Sequence, residues 1–303
     1  MDGILNVYKE QDFTSFDVVA KLRGIFHQKK IGHTGTLDPM AEGVLPVCLG
    51  SATNLVELLT DHDKVYESVM LLGVTYDTDD VTGNKLTENA VTATQEEVYA
   101  AVQSFVGGYD QIPPMYSAKK IDGKKLYELA RAGKEVERRA VHVDIMDIEV
   151  LSIDIPRVSI RVHCGKGTYI RSLIPDIGKK LGCGATMEKL KRIRVGSFIS
   201  DEAFTLSDIE KLVKDGKIEK YIATPDAVFE DCKAITVNDR LYRFLINGNK
   251  FTEEDFEELG SELISSLSDG EKVRVYAMDG SFKAVYEKNS KGNELKPYKM
   301  FLG

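Results

Sequence analysis

The stretch HTGTLDPMAEGVLP, residues 33–46, sets a carboxylate, Asp38, between Leu37 and Pro39 where regular structure is blocked. Gly35, Gly43, Pro39 and Pro46 interrupt helix and strand, and an apolar run from Val44 to Leu49 follows at once. Asp-Pro is a common turn dipeptide, because Asp bonds nearby backbone and Pro presets φ. Two glycines, two prolines and a histidine within this short stretch specify the backbone more tightly than a surface turn requires. A loop held this rigidly beside a core strand is where function concentrates. Asp38 is therefore the candidate reactive group, and Glu42 reads as a solvated loop residue.

The elements that must position such a group are legible from spacing. Thr14 or Ser15 can cap a helix over roughly 16–27, with Phe16, Val19, Leu22 and Phe26 at helical spacing. A buried strand near 44–49 and a short helix near 52–60 follow the loop. Residues 64–75 read as a strand with Tyr66 near its start. Thr94 and Glu97 form a capping-box signature for a helix to about Val106, closed by Gly107 and Gly108. Residues 109–139 hold Pro113–Pro114 and a basic, helix-tipped excursion. Strands near 141–154 and 157–164 precede a helix from about Tyr169 to Leu181. A helix near 206–214 leads to a linker around 225–233. The last part has a helix near 238–246, an acidic helical stretch near 253–267, and strands near 272–277 and 282–287 about a turn at Asp279-Gly280. This order predicts an α+β domain on a largely antiparallel sheet, followed by a small separate domain.

The chain has 303 residues, enough for two domains, and its 43% hydrophobic content supplies their cores. No apolar run approaches the roughly 20 residues of a membrane span, and the N-terminus lacks the pattern of a signal peptide. Cys48, Cys164, Cys183 and Cys232 lie far apart with no C-x-x-C pair, which argues against a zinc ribbon or a disulfide scaffold and suits a reducing cytoplasm. The net charge of -8 argues against a nucleic-acid partner, but its distribution points the other way. Residues 113–143 carry eight Lys/Arg against four Asp/Glu, net +4, and residues 165–198 carry eight against two, net +6. Two basic segments on a body that carries the remaining -18 suit a polyanion.

Five separated motifs resemble the tRNA pseudouridine synthase B family. GHTGTLDPMAEGVLP (32–46) is similar to its catalytic loop, and Asp38 falls on the catalytic aspartate. KVYESVMLLGVTYDTDDVTG (64–83) is similar to the segment that sets a tyrosine, Tyr66, against the target base and supplies an acidic turn, Asp77 to Asp80. PPMYSAKKIDGKKLYELARAG (113–133) resembles an RNA-gripping insertion, with Lys119 and Lys124 as contacts. GTYIRSLIPDIGKKLG (167–182) carries the arginine, Arg171, that pairs with the aspartate, and MEKLKRIRVGSF (187–198) puts Leu190 at a pocket position. The resemblance implies a pseudouridine synthase fold over 1–228, with the insertion at about 109–142, and a small β-rich PUA-like RNA-binding domain over 233–303. The family's Lys-Pro-x-Gly is replaced by Lys9-Glu10-Gln11-Asp12, which is expected to loosen a supporting turn against the catalytic loop.

The implied reaction converts uridine 55 of the tRNA T-loop to pseudouridine: N1–C1′ breaks, the base rotates, and C5 joins C1′. Reactant and product are isomers, so no redox cofactor or nucleotide is required. A carboxylate can add to C1′ or C6, or remove a 2′ proton; every route needs Asp38 ionised in a dry pocket. Burial without a partner would raise its pKa, so a guanidinium is demanded, and Arg171 is the candidate. The uridine must be flipped, at a cost that aromatic faces offset. Tyr66 would stack on it and take the C5 proton, Tyr169 would line the pocket, Asp80 belongs to the acidic turn, and His33 would hold the displaced RNA loop. No second ligand accompanies His33 at metal spacing, so no metal is expected. The expected partner is the tRNA T-arm, met by a cytoplasmic monomer without an obligatory protein partner. Three alternatives compete. They are a tRNA-folding module without turnover, a related synthase acting on another RNA, and an aspartyl phosphatase. The last would need a D-x-D pattern that LDPMAEG lacks.

Overall fold

The computed structural model describes residues 1–302 apart from 118, 122, 132–135, 257, 290, 292 and 293. The first elements in the chain are Gly3–Lys9 (β1), Ser15–Phe26 (α1), Ile31–His33 (β2), Glu42–Leu49 (β3), Val56–Thr60 (α2) and Lys64–Leu72 (β4). Next come Val74–Tyr76 (β5), Lys85–Glu88 (β6), Gln95–Gln103 (α3) and Tyr109–Gln111 (β7). Within the basic excursion lie Lys120–Ile121 (β8), Lys124–Lys125 (β9) and Leu126–Arg131 (α4). Val141–Val143 (β10), Ile145–Asp154 (β11), Arg157–Cys164 (β12), Ile170–Leu181 (α5), Ala185–Val195 (β13), Phe198–Ile199 (β14), Leu206–Lys214 (α6) and Ile222–Ala223 (β15) complete the larger part. The remainder is Lys233–Val237 (β16), Asp239–Ile246 (α7), Phe251–Thr252 (β17), Glu258–Ser265 (α8), Lys272–Ala277 (β18), Phe282–Asn289 (β19) and Glu294–Met300 (β20).

Nine strands of the described residues form one mixed sheet, its main path running β11-β12-β4-β13-β3-β1-β15, with β14 on β13 and β2 on β3. Its pairings are antiparallel except β13 with β3. A five-stranded sheet, β16-β18-β19-β20-β17, holds residues 233–300. The α+β class and the largely antiparallel sheet expected from the sequence are both present. No helix of the described residues is long and apolar enough to cross a membrane.

Helices cover the large sheet. On one side α3 and α5 bury Val98, Val102, Leu173, Ile174 and Ile177 against Met70, Val158, Ile160 and Val162. At the other end α1 and α6 bury Val18, Leu22 and Ile209 against Leu5, Val7, Leu45 and Val47. Both Thr94–Glu97 and Thr14–Asp17 close reciprocal capping boxes, which fix where α3 and α1 start. The smaller sheet has its own core of Val237, Leu241, Phe251, Val273, Val275 and Tyr286. Phe229, Val285 and Phe301 join it to Ile4, Cys48, Leu55 and Leu59 of the larger part.

The expected strand over 64–75 stops at Leu72, because Gly73 adopts φ +83 and turns the chain into β5. The expected acidic helix over 253–267 divides into a short turn at Glu253–Asp255 and α8. The longest strand of the sheet, β13, has no clear signature in the sequence pattern. Its charged residues hide the alternation, since Arg192 is buried beside Leu190 and Val195.

The parallel join between β3 and β13 depends on Gly43, which pairs with Arg192 at φ +109. A Cβ there would stand 2.2 Å from the Arg192 carbonyl oxygen. Gly43→Ala should therefore destabilise the protein by more than about 2 kcal/mol, from backbone strain added to overlap. Gly24 in the last turn of α1 has open space around its Cα, and Gly24→Ala should be neutral or gain up to about 1 kcal/mol. Urea unfolding of the two variants checks the contrast.

Candidate active site

The loop between β2 and β3 is held from below before it presents any side chain. The Leu37 N–H donates to Ser15 Oγ at 2.9 Å, and the Ala41 N–H to the Asp38 carbonyl at 3.1 Å. Two donors converge on the Pro39 carbonyl, the Asp12 N–H at 2.9 Å and Lys9 Nζ at 3.2 Å. Asp12 adopts φ +67, the left-handed conformation that a glycine would otherwise supply. The turn expected to be loosened by Lys9-Glu10-Gln11-Asp12 is thus closed and bonded to the loop.

Arg171, in the first turn of α5, reaches Asp38 across 3.0 Å. Its guanidinium also donates to the carbonyl oxygens of Thr78 (3.3 Å) and Tyr116, and lies 3.8 Å from Asp80 Oδ2. Asp80 is fixed in turn. Its Oδ1 accepts from the Thr82 N–H at 3.0 Å and from the Thr78 and Thr82 hydroxyls. The turn that carries it is hooked to β13 at both ends, by Met187 N–H to Asp79 O and Val81 N–H to Met187 O, each 3.1 Å. Arg171 and Asp80 side chains are almost wholly buried, whereas Asp38 keeps 31% of its surface open to the recess. Burial raises the Asp38 pKa above the carboxylate norm, Arg171 and Lys9 oppose this, and Asp80 adds to it. Protein surrounds the carboxyl on most sides, and water at the open mouth tempers the rise.

Tyr66 on β4 is 9% exposed and sits in the same apolar cluster as Leu37 and Leu190. Tyr169 caps the N-terminus of α5. Burial raises both phenol pKa values, and the Asp38 charge pushes them the same way. Asp38, Arg171, Asp80, Tyr66, Tyr169 and Leu190 are therefore brought together from β4, β13, α5 and two loops. His33 ends β2 just before Gly35; burial and the Arg192 charge lower its pKa, so its ring is neutral, with Nδ1 enclosed and unpartnered among the described residues. Lys119 is half-buried in the excursion and its carbonyl accepts the Leu126 N–H at 2.9 Å. The side chain of Lys124 lies outside the described residues, as do those of Lys120 and Lys125.

Two cations beneath the loop carry no mark of a site residue in the sequence. Arg192 is 1% exposed and donates through Nε to the Val44 carbonyl at 2.7 Å and through a terminal nitrogen to the Gly35 carbonyl at 3.3 Å. It stands opposite Tyr66 across the β4–β13 ladder and favours the ionised phenol. Lys9 is fully enclosed, and burial brings its pKa down to about 8 against the pull of Asp38. The only sequence signal for either is a charge at an inward strand position. Among the described residues no three His, Cys, Asp or Glu side chains converge to hold a metal ion.

Residues 23–170 match the N-terminal domain of the TruB family pseudouridylate synthases, and residues 171–232 match the C-terminal domain of tRNA pseudouridylate synthase B. A relative from Lachnoclostridium phytofermentans named tRNA pseudouridine synthase B is 49% identical over the whole of both chains. One of the same name from Clostridium novyi is 44% identical, again over the whole of both. Among solved structures, an H/ACA RNP bound to a substrate RNA containing 2′-deoxyuridine has a chain that superposes with a TM-score of 0.70 at 25% identity, covering 99% of this chain and 85% of that one.

Removing Arg171 would leave the Asp38 and Asp80 carboxylates facing each other without a cation. Arg171→Met should cost about 3 kcal/mol at pH 7, the lower end of the range for breaking a buried pair because Asp38 is partly open. The Asp38 carboxyl, which burial already raises, then has a folded-state pKa still further above its unfolded one. Its penalty vanishes below the unfolded pKa, grows as pH rises toward the folded one and is complete above it, so the variant should approach wild-type stability near pH 4. Urea unfolding at pH 4, 5 and 7 checks this, and a pH-independent deficit contradicts it.

Proposed function

The chain belongs to the TruB family of pseudouridylate synthases, and on that premise we propose that it isomerises uridine 55 in the T-loop of tRNA to pseudouridine. The observation that carries the reading is the Arg171–Asp38 contact at 3.0 Å, a carboxyl group faced by a buried guanidinium at the mouth of an apolar recess. The flipped uracil enters between Leu37, Leu190 and the ring of Tyr66, with Tyr169 at the entrance. Unstacking costs a few kcal/mol, and stacking on an aromatic face returns roughly 1–3 kcal/mol.

Asp38 starts the reaction as the ionised carboxylate, either by forming a bond to the nucleotide or by taking the 2′ proton. The N1–C1′ bond breaks, the base turns in the recess, and C5 bonds C1′. C5 then loses its proton and N1 gains one, so atoms and charge balance without a redox partner. Arg171 holds the carboxylate aimed and ionised, and Asp80 with the Thr78 and Tyr116 carbonyls holds Arg171. Tyr66 takes the C5 proton. Its phenol is neutral at rest because burial and the Asp38 charge raise its pKa; the Arg192 charge opposes them, and it is the phenolate form that accepts the proton.

The basic segments 113–143 and 165–198 grip the phosphates of the T-arm, and residues 233–303 act as a PUA-like RNA-binding domain beside a synthase domain over 1–228. The protein works on tRNA as a cytoplasmic monomer, a setting that suits its four unpaired cysteines. Light scattering of the free protein tests the monomer directly.

Release of C5 tritium from labelled tRNA tests the activity. Asp38→Asn should bind tRNA nearly as the wild type does and release none. Tyr66→Phe keeps the stacking face, so it should bind normally yet turn over roughly a hundredfold slower. A Phe variant near the wild-type rate would leave Tyr66 as a platform only. Neutralising Lys119, Lys120, Lys124 and Lys125 together should flatten the plot of log affinity against log salt, by roughly 0.7–0.9 for each phosphate no longer neutralised. An unchanged slope makes the excursion an ordinary solvated face.

A further inference from the structure

Gln111, the last residue of β7, is 1% exposed, yet all its polar atoms are engaged at one place. The Tyr169 N–H donates to Gln111 Oε1 at 2.8 Å, and Gln111 Nε2 donates to the Tyr169 carbonyl at 3.0 Å. Nε2 also donates to the Tyr109 hydroxyl at 2.7 Å, which donates onward to Asp176 Oδ2 at 2.8 Å. Only one amide orientation allows this, because a backbone N–H requires an acceptor. The side chain thus occupies the place of a strand partner for the peptide groups of Tyr169. That residue is the N-cap of α5 and has no side-chain cap of its own. Together Gln111 and Tyr109 hold α5 at residues 169 and 176, about two helical turns apart. Arg171 lies between those two points, and its guanidinium donates to the carbonyl of Tyr116, from the same insertion.

We propose that Gln111 is a positioning residue for the isomerisation: through the peptide of Tyr169 it fixes Arg171 against Asp38, tying the ion pair to the insertion. This rests on the isomerase reading above. A long side chain keeps a fixed contact only if its Cα is fixed, and small displacements at a reacting group are costly. A buried primary amide is an expensive way to fill space, since each unmatched polar atom loses its water. Here each of them is spent on the start of the helix that carries Arg171. The insertion that meets the RNA is then mechanically continuous with the residue that keeps Asp38 charged.

The test is the pH profile of single-turnover tritium release, with tRNA affinity and thermal stability measured alongside. Asp38 is faced by Arg171 from α5, Asp80 from the 77–84 turn, Lys9 from β1, Tyr66 from β4 and Tyr169 at the helix start. Changing Gln111 to Met frees the peptide of Tyr169 and, through it, Arg171; burial keeps the Tyr169 phenol uncharged, so the only charge facing Asp38 that moves is that of Arg171. Moving the Arg171 charge away makes Asp38 harder to ionise, so the acid limb of the profile moves to higher pH. Gln111→Met should bind tRNA within about twofold of wild type, with the limb displaced by about half a pH unit or more, roughly threefold in rate on the acid side, and with recovery at alkaline pH. A limb that stays in place, whether the rate is unchanged or falls equally at every pH, overturns the proposal. If Gln111→Met does not fold, Tyr109→Phe decides, since it keeps the ring packed on Phe105 and removes only the outer link. It should displace the limb the same way by a smaller amount, and an unmoved limb overturns the proposal. A wild-type protein that releases no tritium would instead overturn the functional reading itself.

Discussion

A carboxylate that must stay charged beside an apolar recess needs a cation that cannot lose its proton and cannot drift. That requirement organises the molecule. Asp38 lies on a loop between β2 and β3, and Arg171 on a helix more than a hundred residues later, so neither can be placed locally. The sheet brings them together: β3 and β13 run side by side, and α5 packs on β13, where Gly178 lets helix and strand backbones touch. The parallel join at Gly43 and the closed turn at Asp12 are structural costs accepted to hold the loop steady.

Around this pair the positive charge exceeds what pairing requires. Lys9 and Arg192 are both buried, and burial brings Lys9 to about 8. Arg192 finds backbone carbonyls as acceptors, and Lys9 donates to the carbonyls of Glu10 and Pro39. Of these cations Lys9 opposes the desolvation of Asp38 and Arg192 works against His33 becoming charged, so the recess favours an anion on the protein and a neutral ring beside it. The negative net charge of the chain lies elsewhere, which is how an acidic protein can present a face to RNA.

Much of the fold is legible in the sequence because its signals are local. The capping box at Thr94–Glu97 and the helical spacing of Val19 and Leu22 read directly into α3 and α1. The loop at 33–46 stands out through its glycines and prolines. What stays hidden depends on partners distant in sequence. β13 buries Arg192 and Thr186 where a strand of simple pattern would bury valine, and the guanidinium of Arg192 is met there by the carbonyls of Val44 and Gly35, far away in sequence. Gln111 reads as one polar residue before a Pro-Pro pair, and only the return of the chain at Tyr169 gives it two of its three hydrogen bonds. The Lys9-Glu10-Gln11-Asp12 turn reads as weakened, yet Asp12 takes the conformation that glycine takes easily.

We propose that Arg171 keeps Asp38 ionised at neutral pH, against the burial that raises its pKa. This is tested most directly by carbon-13 NMR titration of the Asp38 carboxyl in the folded protein, beside Arg171→Lys. The account predicts a titration above that of an ordinary aspartate yet complete by pH 7, with a further upward displacement in Arg171→Lys, whose ammonium lacks the planar fork. An Asp38 that titrates as a solvated carboxylate, or one indifferent to Arg171, would contradict it.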